Sequence, residues 1–306
     1  MVQNAVGRNA EWMKIYAAVR PLRFWRAKHL EAARRDFPGR LVRRRARLYC
    51  MLGAIAGDII GSVHEFCCGK TMDFPLFTPE SRFTDDTVLT VAVADCLMSG
   101  AGYTDKFHEY TIAYPHRAYG LRFLTWVEAG LRAPYNSWGN GSAMRVSPIA
   151  YTCDTLERAL HEAKASAEVT HNHPEGIRGA LATTMAIFMA RRGASKDEIR
   201  NAIQQQIGYD LRRTTEAIRE TYCFNESCQQ TVPEAIVAFL DSKDYEDAIR
   251  LAISLGGDAD TLACITGGIA EAFYGGIPEN IVAAALERLD ERLRNIVLKF
   301  RERYKV

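Results

Sequence analysis

The chain has 306 residues, 48% of them hydrophobic, which is enough for one large domain or two small ones around a substantial core. Residues 1–50 carry 13 Lys and Arg against 3 Asp and Glu, whereas residues 51–306 carry 26 against 34. The apolar segment 52–63 is shorter than the ~18 residues of a membrane span, and Asp58 interrupts it. Eight scattered Cys without a CxxC pair, and no hydrophobic leader, favour reduced thiols in a cytoplasmic protein without a membrane segment.

The first 50 residues form a basic segment for which three interpretations compete. The first is a surface arm that contacts nucleic acid, a partner or an acidic membrane. The second is an Arg-rich targeting presequence. The third is an upstream extension before a functional start at Met51. Residues 11–19 and 24–35 are candidates for short basic helices within it. Because a globular pattern begins directly at Met51, we predict a basic extension over 1–50 and one domain over 51–306.

From Met51 onward the sequence predicts an all-α fold on the order of a dozen helices, because β-branched runs with a period of two are missing. Gly53, Gly57 and Gly61 fall on one face of the first helix, where another helix or a ligand can approach the backbone closely. Pro148 is expected to kink or shorten the helix that contains it. The predicted helices are 52–63, 87–98, 105–113, 119–132, 142–151, 154–169, 174–192, one from 195, 232–240, 245–255, 261–274 and 279–299.

The first of two acidic segments is Thr84-Asp85-Asp86-Thr87, just before a predicted helix. Capping of that helix by Thr84 or Asp85 explains one of the carboxylates, since acids are favourable at a helix N-terminus. Capping does not explain two adjacent carboxylates with a hydroxyl on each side. Binding of a metal ion is the alternative explanation.

The second acidic segment is Asp258-Ala259-Asp260-Thr261, directly after two glycines that can end the preceding helix in a left-handed turn. Asp258 and Asp260 are two residues apart, so their side chains can converge on one point. Two helix N-termini that each present two Asp and a Thr can build one all-oxygen pocket. Such a pocket suits Mg²⁺ or Mn²⁺ rather than zinc. Glu65 is a further acid in an apolar setting, with an ordinary surface position at a helix end as the alternative.

The glycine loop at Asn140-Gly141-Ser142 leads into a predicted helix. Exposed amides at such a helix start can cradle phosphate oxygens, and Arg145 could add positive charge. The alternative is an ordinary turn with Ser142 as the helix cap.

Two other polar stretches suit a ligand that carries phosphate or ribose. His171 and His173 flank one residue in a predicted turn. Three roles are open for them: contact with a ligand, capping of the next helix, or binding of a transition metal. No Cys or third His lies nearby in sequence, which disfavours a zinc site. Tyr119 beside Gly120 could flank a ribose or a base, and the alternative is a core tyrosine.

In their order along the chain, these motifs resemble those of the ADP-ribosylglycohydrolase family. That family includes the dinitrogenase reductase-activating glycohydrolase and hydrolases of ADP-ribosylarginine and ADP-ribosylserine. The resemblance covers roughly residues 51–290, and residues 1–50 match nothing in it. It implies a compact all-α orthogonal bundle around two divalent cations, Mg²⁺ or Mn²⁺. The motifs that carry it are the segment 51–62 with Glu65, Thr84-Asp85-Asp86-Thr87, the loop 139–145, Thr170-His171 and the segment 256–261.

The resemblance also implies roles for individual residues of this chain. The implied metal ligands are Thr84, Asp85, Asp86, Asp258, Asp260 and Thr261. The implied substrate-binding residues are Asn140, Gly141 and Ser142 as a diphosphate loop, His171, and Tyr119 with Gly120 on the ribose side. The candidates for the catalytic acid or base are Glu65, Asp86 and Asp258.

The implied activity is metal-dependent hydrolysis of the bond between ADP-ribose and an acceptor, with arginine favoured, which reverses mono-ADP-ribosylation. The alternatives are serine or nucleic-acid linkages, or a non-catalytic relative that binds ADP-ribose or serves a structural role. A non-catalytic relative is expected to lack some of the acids, and here all are present. The expected partner is an ADP-ribosylated protein or other acceptor, and nucleic acid is a candidate through the basic segment. We expect a monomer.

Overall fold

A computed structural model describes residues 50–65 and 69–304. Within them the chain forms helices and no β-strand, and an isolated bridge joins Gly139 to Ser227. The all-α prediction is confirmed. The helices are α1 Leu52–Gly61, α2 Asp85–Ser99, α3 Tyr103–Ala113, α4 Leu121–Glu128, α5 Gly141–Met144, α6 Ile149–Thr152, α7 Leu156–Glu168, α8 Pro174–Arg191, α9 Lys196–Gln206, α10 Thr215–Thr221, α11 Cys228–Asp241, α12 Tyr245–Ile253, α13 Ala259–Tyr274, α14 Glu279–Glu287 and α15 Glu291–Arg303.

Helix boundaries differ from the predictions where caps and proline act. The helix predicted at 142–151 is two short helices, and Pro148 is the N-cap of the second. The helix predicted at 279–299 is also two, because Asp290 caps a new helix by accepting from the amide of Leu293 at 2.9 Å. Helix α10 was not predicted, and Thr214 caps it in the same way.

The pair α1 and α13 forms the centre of the fold. A Cβ built on Gly57 would lie 2.1 Å from the Ala263 carbonyl oxygen, and one on Gly61 would lie 2.5 Å from Asp260 Cα. The two backbones are therefore in direct contact, as the glycine spacing predicted. Helices α8, α11 and α12 pack around α13, and α2 packs on α1. This arrangement brings the C-terminal end of α1 next to the N-terminal end of α13.

Glu271 of α13 holds the start of α1. Its two carboxylate oxygens accept from the amides of Cys50 and Gly53 at 2.9 and 2.8 Å. Cys50 has a φ of 67°, so the chain turns sharply just before the helix begins. Among the described residues Cys50 is one of six cysteines, all of them free thiols.

The basic segment, with its predicted helices at 11–19 and 24–35, lies outside the described residues except for Cys50. Cys67 and Cys68 also lie outside them. In the described part of the chain, no helix combines the length and apolar character needed to cross a membrane.

Candidate metal and substrate site

Asp58 lies in the middle of α1 and is fully buried. Its carboxylate accepts from the amide and hydroxyl of Thr84 at 3.0 and 2.6 Å, and from the amide of Thr87 at 3.1 Å and its hydroxyl. Burial raises the pKa of Asp58, and these four donors oppose the rise by stabilising the ionised form. Asp58 thereby fixes the first turn of α2. The sequence analysis gave it no role, although a carboxylate inside an apolar helix was the available signal.

Thr84 is the N-cap of α2. Its Oγ1 accepts from the amide of Asp86 at 3.3 Å and donates to Asp58. The capping interpretation of Thr84 is confirmed. Its hydroxyl is buried in this contact and is not part of the cavity wall, so its role as a metal ligand stays a prediction.

Acids from two distant parts of the sequence meet beside one cavity. Carboxylate oxygens of Glu65, Asp258 and Asp260 all lie within 4.8 Å of one another. Asp86 joins them through Thr261, whose Oγ1 donates to Asp86 Oδ2 at 3.3 Å. The other oxygen of Asp86, Oδ1, is buried and has no hydrogen-bond partner in the described residues. A cation bound beside this oxygen would satisfy it.

Crowding of carboxylates disfavours their ionised forms. Burial, and then the charges of Asp58 and Asp258, raise the pKa of Asp85 well above its usual range. Burial and the charge of Asp58 also raise the pKa of Asp86. Burial and the charge of Asp258 raise the pKa of Asp260. Divalent cations would offset this repulsion, and an all-oxygen donor set is the one that hard cations such as Mg²⁺ and Mn²⁺ prefer.

Glu65 follows α1 and is only partly buried. Burial and the charges of Asp258 and Asp58 raise its pKa to about 7, and Arg82 opposes the rise. A carboxyl group that gains and loses its proton near neutral pH can serve as a general acid or base. Glu65 thus lies at a helix end, as its alternative interpretation stated, and also lines the cavity close to Asp258 and Asp260, so its catalytic role stays a prediction.

Asn140 connects the glycine loop to the acids. Its Nδ2 donates to Asp258 Oδ2 at 2.6 Å and to Thr231 Oγ1 at 3.2 Å, and its amide donates to the Glu226 carbonyl at 2.7 Å. Gly141 lines the cavity. Ser142 is fully buried, and its hydroxyl donates to the Gly176 carbonyl at 2.6 Å, so only its backbone is left for a ligand.

His171 lines the cavity beside the glycine loop. Its Nδ1 is 2.7 Å from Thr170 Oγ1, and Nε2 faces Gly141. Burial, Arg145 and Arg122 lower the pKa of His171 well below its usual range, so the imidazole is neutral. His173 instead caps α8 by accepting from the Glu175 amide at 3.1 Å, which was one of its alternatives.

Tyr119 and Gly120 lie at different depths. The Tyr119 ring is buried against Phe123, and its hydroxyl donates to the Tyr114 carbonyl at 2.9 Å, so it is a core tyrosine as the alternative interpretation stated. Gly120 lines the cavity and has open space at its Cβ position. Of this pair, only Gly120 is exposed to a ligand.

These residues surround a cavity of about 270 Å³. Phe224 and Glu226 are among the wall residues that the sequence analysis missed, because nothing in their irregular segment marks them. Both are exposed, and Glu226 adds to the negative charge around Glu65. The cavity therefore joins an acidic end to a wall of glycines, aromatic rings, one neutral imidazole and two arginines, Arg122 and Arg145. The sequence-predicted site residues in its wall are Glu65, Asp85, Asp86, Gly120, Asn140, Gly141, His171, Asp258, Asp260 and Thr261.

Comparisons with known proteins identify relatives. The sequence model of the ADP-ribosylglycohydrolase family matches residues 40–305. The chain is similar to ADP-ribosylhydrolase ARH3 of Homo sapiens, with 26% identity over 310 residues, 74% of this chain and 84% of that protein. It is also similar to ADP-ribosylarginine hydrolase Tri1 of Pseudomonas putida, with 24% identity over 257 residues, 74% of this chain and 69% of that protein.

A solved structure described as an ADP-ribosylglycohydrolase-related protein complex has the same fold. Its TM-score is 0.64 at 26% sequence identity, and the match covers 84% of this chain and 96% of that chain. The family match extends over well more than half of the sequence and includes both acidic segments. The resemblance inferred from the motifs is thereby confirmed, and so is the enzyme class. The chain is a glycohydrolase and belongs to the ADP-ribosylglycohydrolase family.

Proposed function

We propose that this enzyme hydrolyses the glycosidic bond between ADP-ribose and an acceptor with the help of two divalent cations, Mg²⁺ or Mn²⁺. The observation that carries the proposal is the convergence of Glu65, Asp258 and Asp260 within 4.8 Å at one end of a cavity. The other walls of that cavity include the glycine loop and His171. An acidic end for cations and a polar wall for a ligand are what the proposed reaction requires.

The residues present fit the proposed cations. They supply only oxygen donors, several of their carboxyl groups resist ionisation, and Asp86 Oδ1 has no donor from the described residues. When bound, the cations would supply positive charge that orients ribose hydroxyls and lowers the pKa of the attacking water. The proposed ligands are Asp85, Asp86, Asp258, Asp260 and Thr261, with Thr84 at the N-cap behind them.

Hydrolysis requires one proton transfer from water and one to the leaving group. Cleavage at ribose C1″ develops positive charge on the sugar, which nearby carboxylates stabilise. Glu65 is the best placed general acid or base, because it lines the cavity beside Asp258 and Asp260 and is only partly buried. Asp86 and Asp258 are the other candidates, and their contacts with Thr261 and Asn140 favour a fixed, ligand-like role.

The substrate is held away from the reacting bond. We place the diphosphate at the glycine loop, where the amides of Gly141 and Ser142 are the candidate donors because the Asn140 amide donates to the Glu226 carbonyl. His171 lies beside this loop, and Gly120 is on the ribose side. Contacts with this remote half of the substrate provide binding energy that fixes C1″ relative to the acids.

Arginine is the favoured acceptor. The exposed Glu226 carboxylate in the cavity wall favours a cationic guanidinium group over a neutral serine. The Pseudomonas putida relative is named as an ADP-ribosylarginine hydrolase, which agrees with this preference. A serine or nucleic-acid linkage is the other outcome of the test below.

The test is release of ADP-ribose from arginine-linked and serine-linked peptides with Mg²⁺, with Mn²⁺ and with a chelator. We expect metal-dependent release, faster from the arginine linkage. Asp258→Asn is expected to reduce turnover roughly a thousandfold without unfolding the protein, because its amide oxygen can still accept from Asn140. Asp197→Asn is the matched control, since that carboxylate is exposed on α9. Release that persists with the chelator would contradict the metal requirement.

A further inference from the structure

Arg145 is a buried cation for which the described residues provide no ion pair. It follows α5 directly and is fully buried. Its Nη2 donates to the Ser166 carbonyl at 2.8 Å and to Thr170 Oγ1 at 3.0 Å, and its guanidinium lies 4.2 Å from the centre of the Phe107 ring. Burial lowers the pKa of Arg145 to about 10, so the group is still cationic at neutral pH. A desolvated cation is costly, which raises the question of what it does.

The hydroxyl of Thr170 links Arg145 to His171. A guanidinium can only donate, so Thr170 Oγ1 is an acceptor towards Arg145. Thr170 has one hydrogen of its own, and His171 Nδ1 at 2.7 Å is the acceptor found for it among the described residues. Nδ1 therefore carries no proton. If Nδ1 were protonated, Thr170 Oγ1 would receive two donors and its own hydrogen would lack an acceptor.

With Nδ1 unprotonated, the neutral imidazole of His171 carries its proton on Nε2. That nitrogen faces the glycine loop, because a Cβ built on Gly141 would lie 3.4 Å from it and one on Gly139 would lie 3.6 Å away. Neither glycine has a side chain to cover it. In the part of the chain that the structure describes, Nε2 makes no hydrogen bond, so its N–H is left for a group in the cavity.

The backbone that carries the ring is also held in place. The backbone of Gly176 at the start of α8 lies so close that a Cβ there would be 2.9 Å from His171 Cβ and 2.6 Å from the Ser137 carbonyl oxygen. The amide of His171 donates to the Ala167 carbonyl at 2.7 Å. These contacts fix the backbone and Cβ of His171, and the contact of its Nδ1 with Thr170 Oγ1 orients the ring.

We infer that Thr170 and Arg145 are positioning residues that hold His171 in its Nε2–H tautomer, so that His171 offers one fixed hydrogen-bond donor to an oxygen of bound ADP-ribose. The identity of that ligand rests on the proposed function, whereas the tautomer follows from contacts within the protein. Arg145 acts twice. It orients the Thr170 hydroxyl by donating to it, and its charge disfavours the imidazolium form of His171.

The tautomer is measured on the ¹⁵N-labelled full-length protein from long-range ¹H–¹⁵N correlations of the imidazole rings, with His171 assigned from its absence in His171→Gln. We expect a protonated Nε2 and an unprotonated Nδ1 in the wild type and in Thr170→Ser, which keeps the hydroxyl. Thr170→Val is expected to give a mixture of tautomers. A protonated Nδ1 in the wild type, or an unchanged tautomer in Thr170→Val, would overturn the inference.

Thr184→Val is the matched control, because Thr184 is fully buried in α8 and its hydroxyl has no hydrogen-bond partner in the described residues. It removes the same hydroxyl from a comparable environment without contact to His171. We expect it to leave the His171 tautomer unchanged. Mixed tautomers in Thr184→Val would show that any buried Thr→Val change disturbs the ring, which would remove the support for a specific role of Thr170.

Calorimetric titration with ADP-ribose then tests whether the fixed donor of His171 contributes to ligand binding. Loss of one fixed donor is expected to weaken binding about tenfold in Thr170→Val and to leave Thr170→Ser and Thr184→Val close to the wild type. Equal affinity in Thr170→Val and wild type would overturn the role in ligand binding. If the wild type failed to bind ADP-ribose while showing the expected tautomer, the proposed function would fail and the tautomer inference would stand.

Discussion

The backbone of Gly57 in α1 lies directly on that of Ala263 in α13, so closely that a Cβ at position 57 would be 2.1 Å from the Ala263 carbonyl oxygen. This contact sets the distance between the two helices that carry the acids. Asp58 follows Gly57 directly, and Asp260 lies in the first turn of α13. The geometry of the site therefore depends on the absence of a side chain at position 57.

Gly57→Ala is expected to destabilise the protein by about 3 kcal/mol, because backbone atoms of Ala263 cannot move aside as a flexible side chain could. Urea denaturation followed by circular dichroism measures this. Gly120→Ala serves as the stability control, since its Cβ would meet open space, and should change stability by no more than about 1 kcal/mol. Equal stability of the two variants would contradict the close packing of α1 on α13.

Much of the fold was predictable because the spacing of apolar residues, the helix caps and the glycines act locally along the chain. The glycine face of α1 predicted a close partner, and the pair Gly256-Gly257 predicted the left-handed turn that both residues adopt, with φ of 78° and 75°. The break at Asp290 was missed, because the apolar spacing continues across it and only the cap interrupts the helix. The identity of the partner of α1 could not be predicted, because several helices are equally apolar.

Asp58→Asn is expected to lower stability by about 3 kcal/mol and to weaken binding of Mg²⁺. An amide group facing the donors of Thr84 and Thr87 leaves at least one of them without an acceptor and loses charge-assisted bonds. The first turn of α2, with Asp85 and Asp86, would then be less well fixed. Chemical denaturation and calorimetric titration with Mg²⁺ measure the two effects. Unchanged Mg²⁺ affinity in a folded Asp58→Asn variant would limit Asp58 to a stabilising role.

The part of the candidate site that could be predicted best is formed by the two short acidic segments. Asp85, Asp86, Asp258 and Asp260 stood out because capping alone does not require paired carboxylates. Asp58 was missed, since a single acid in an apolar segment has no local partner and its donors lie 26 and 29 residues further along the chain. Glu226 and Phe224 were missed because the cavity wall is formed by tertiary contacts that no spacing in their segment reveals.

The metal-free protein is expected to lose stability as pH rises, and Glu65 contributes to this loss. Its pKa is about 7 in the folded state against an ordinary value of 4.5, so between these values the folded state binds more protons than the unfolded state. Stability therefore falls as pH rises from about 4.5 to about 7. The raised pKa values of Asp85, Asp86 and Asp260 act in the same direction.

Thermal melts of the chelator-treated protein across this pH range measure the effect. Glu65→Gln should flatten the decline in Tm, and Glu220→Gln, an exposed residue on α10, should not. Added Mg²⁺ is expected to raise Tm more above about pH 7 than below about pH 4.5, because protons and cations compete for the same oxygens. Parallel pH profiles for the wild type and Glu65→Gln would show that Glu65 does not titrate in this range.

A chain that starts at Met51 is expected to fold and to keep its turnover, since α1 is held from within the domain. Glu271 binds the amide of Gly53 as well as that of Cys50, and Tyr245 donates from its hydroxyl to the Gly53 carbonyl at 2.7 Å. Truncation leaves a charged amino group at the start of the helix, which the nearby Glu271 carboxylate can compensate. Glu271→Gln should therefore destabilise the truncated chain more than the full-length protein, as urea denaturation of the four proteins would show. Aggregation of residues 51–306 on its own would contradict the predicted boundary and assign the basic segment to the folded domain.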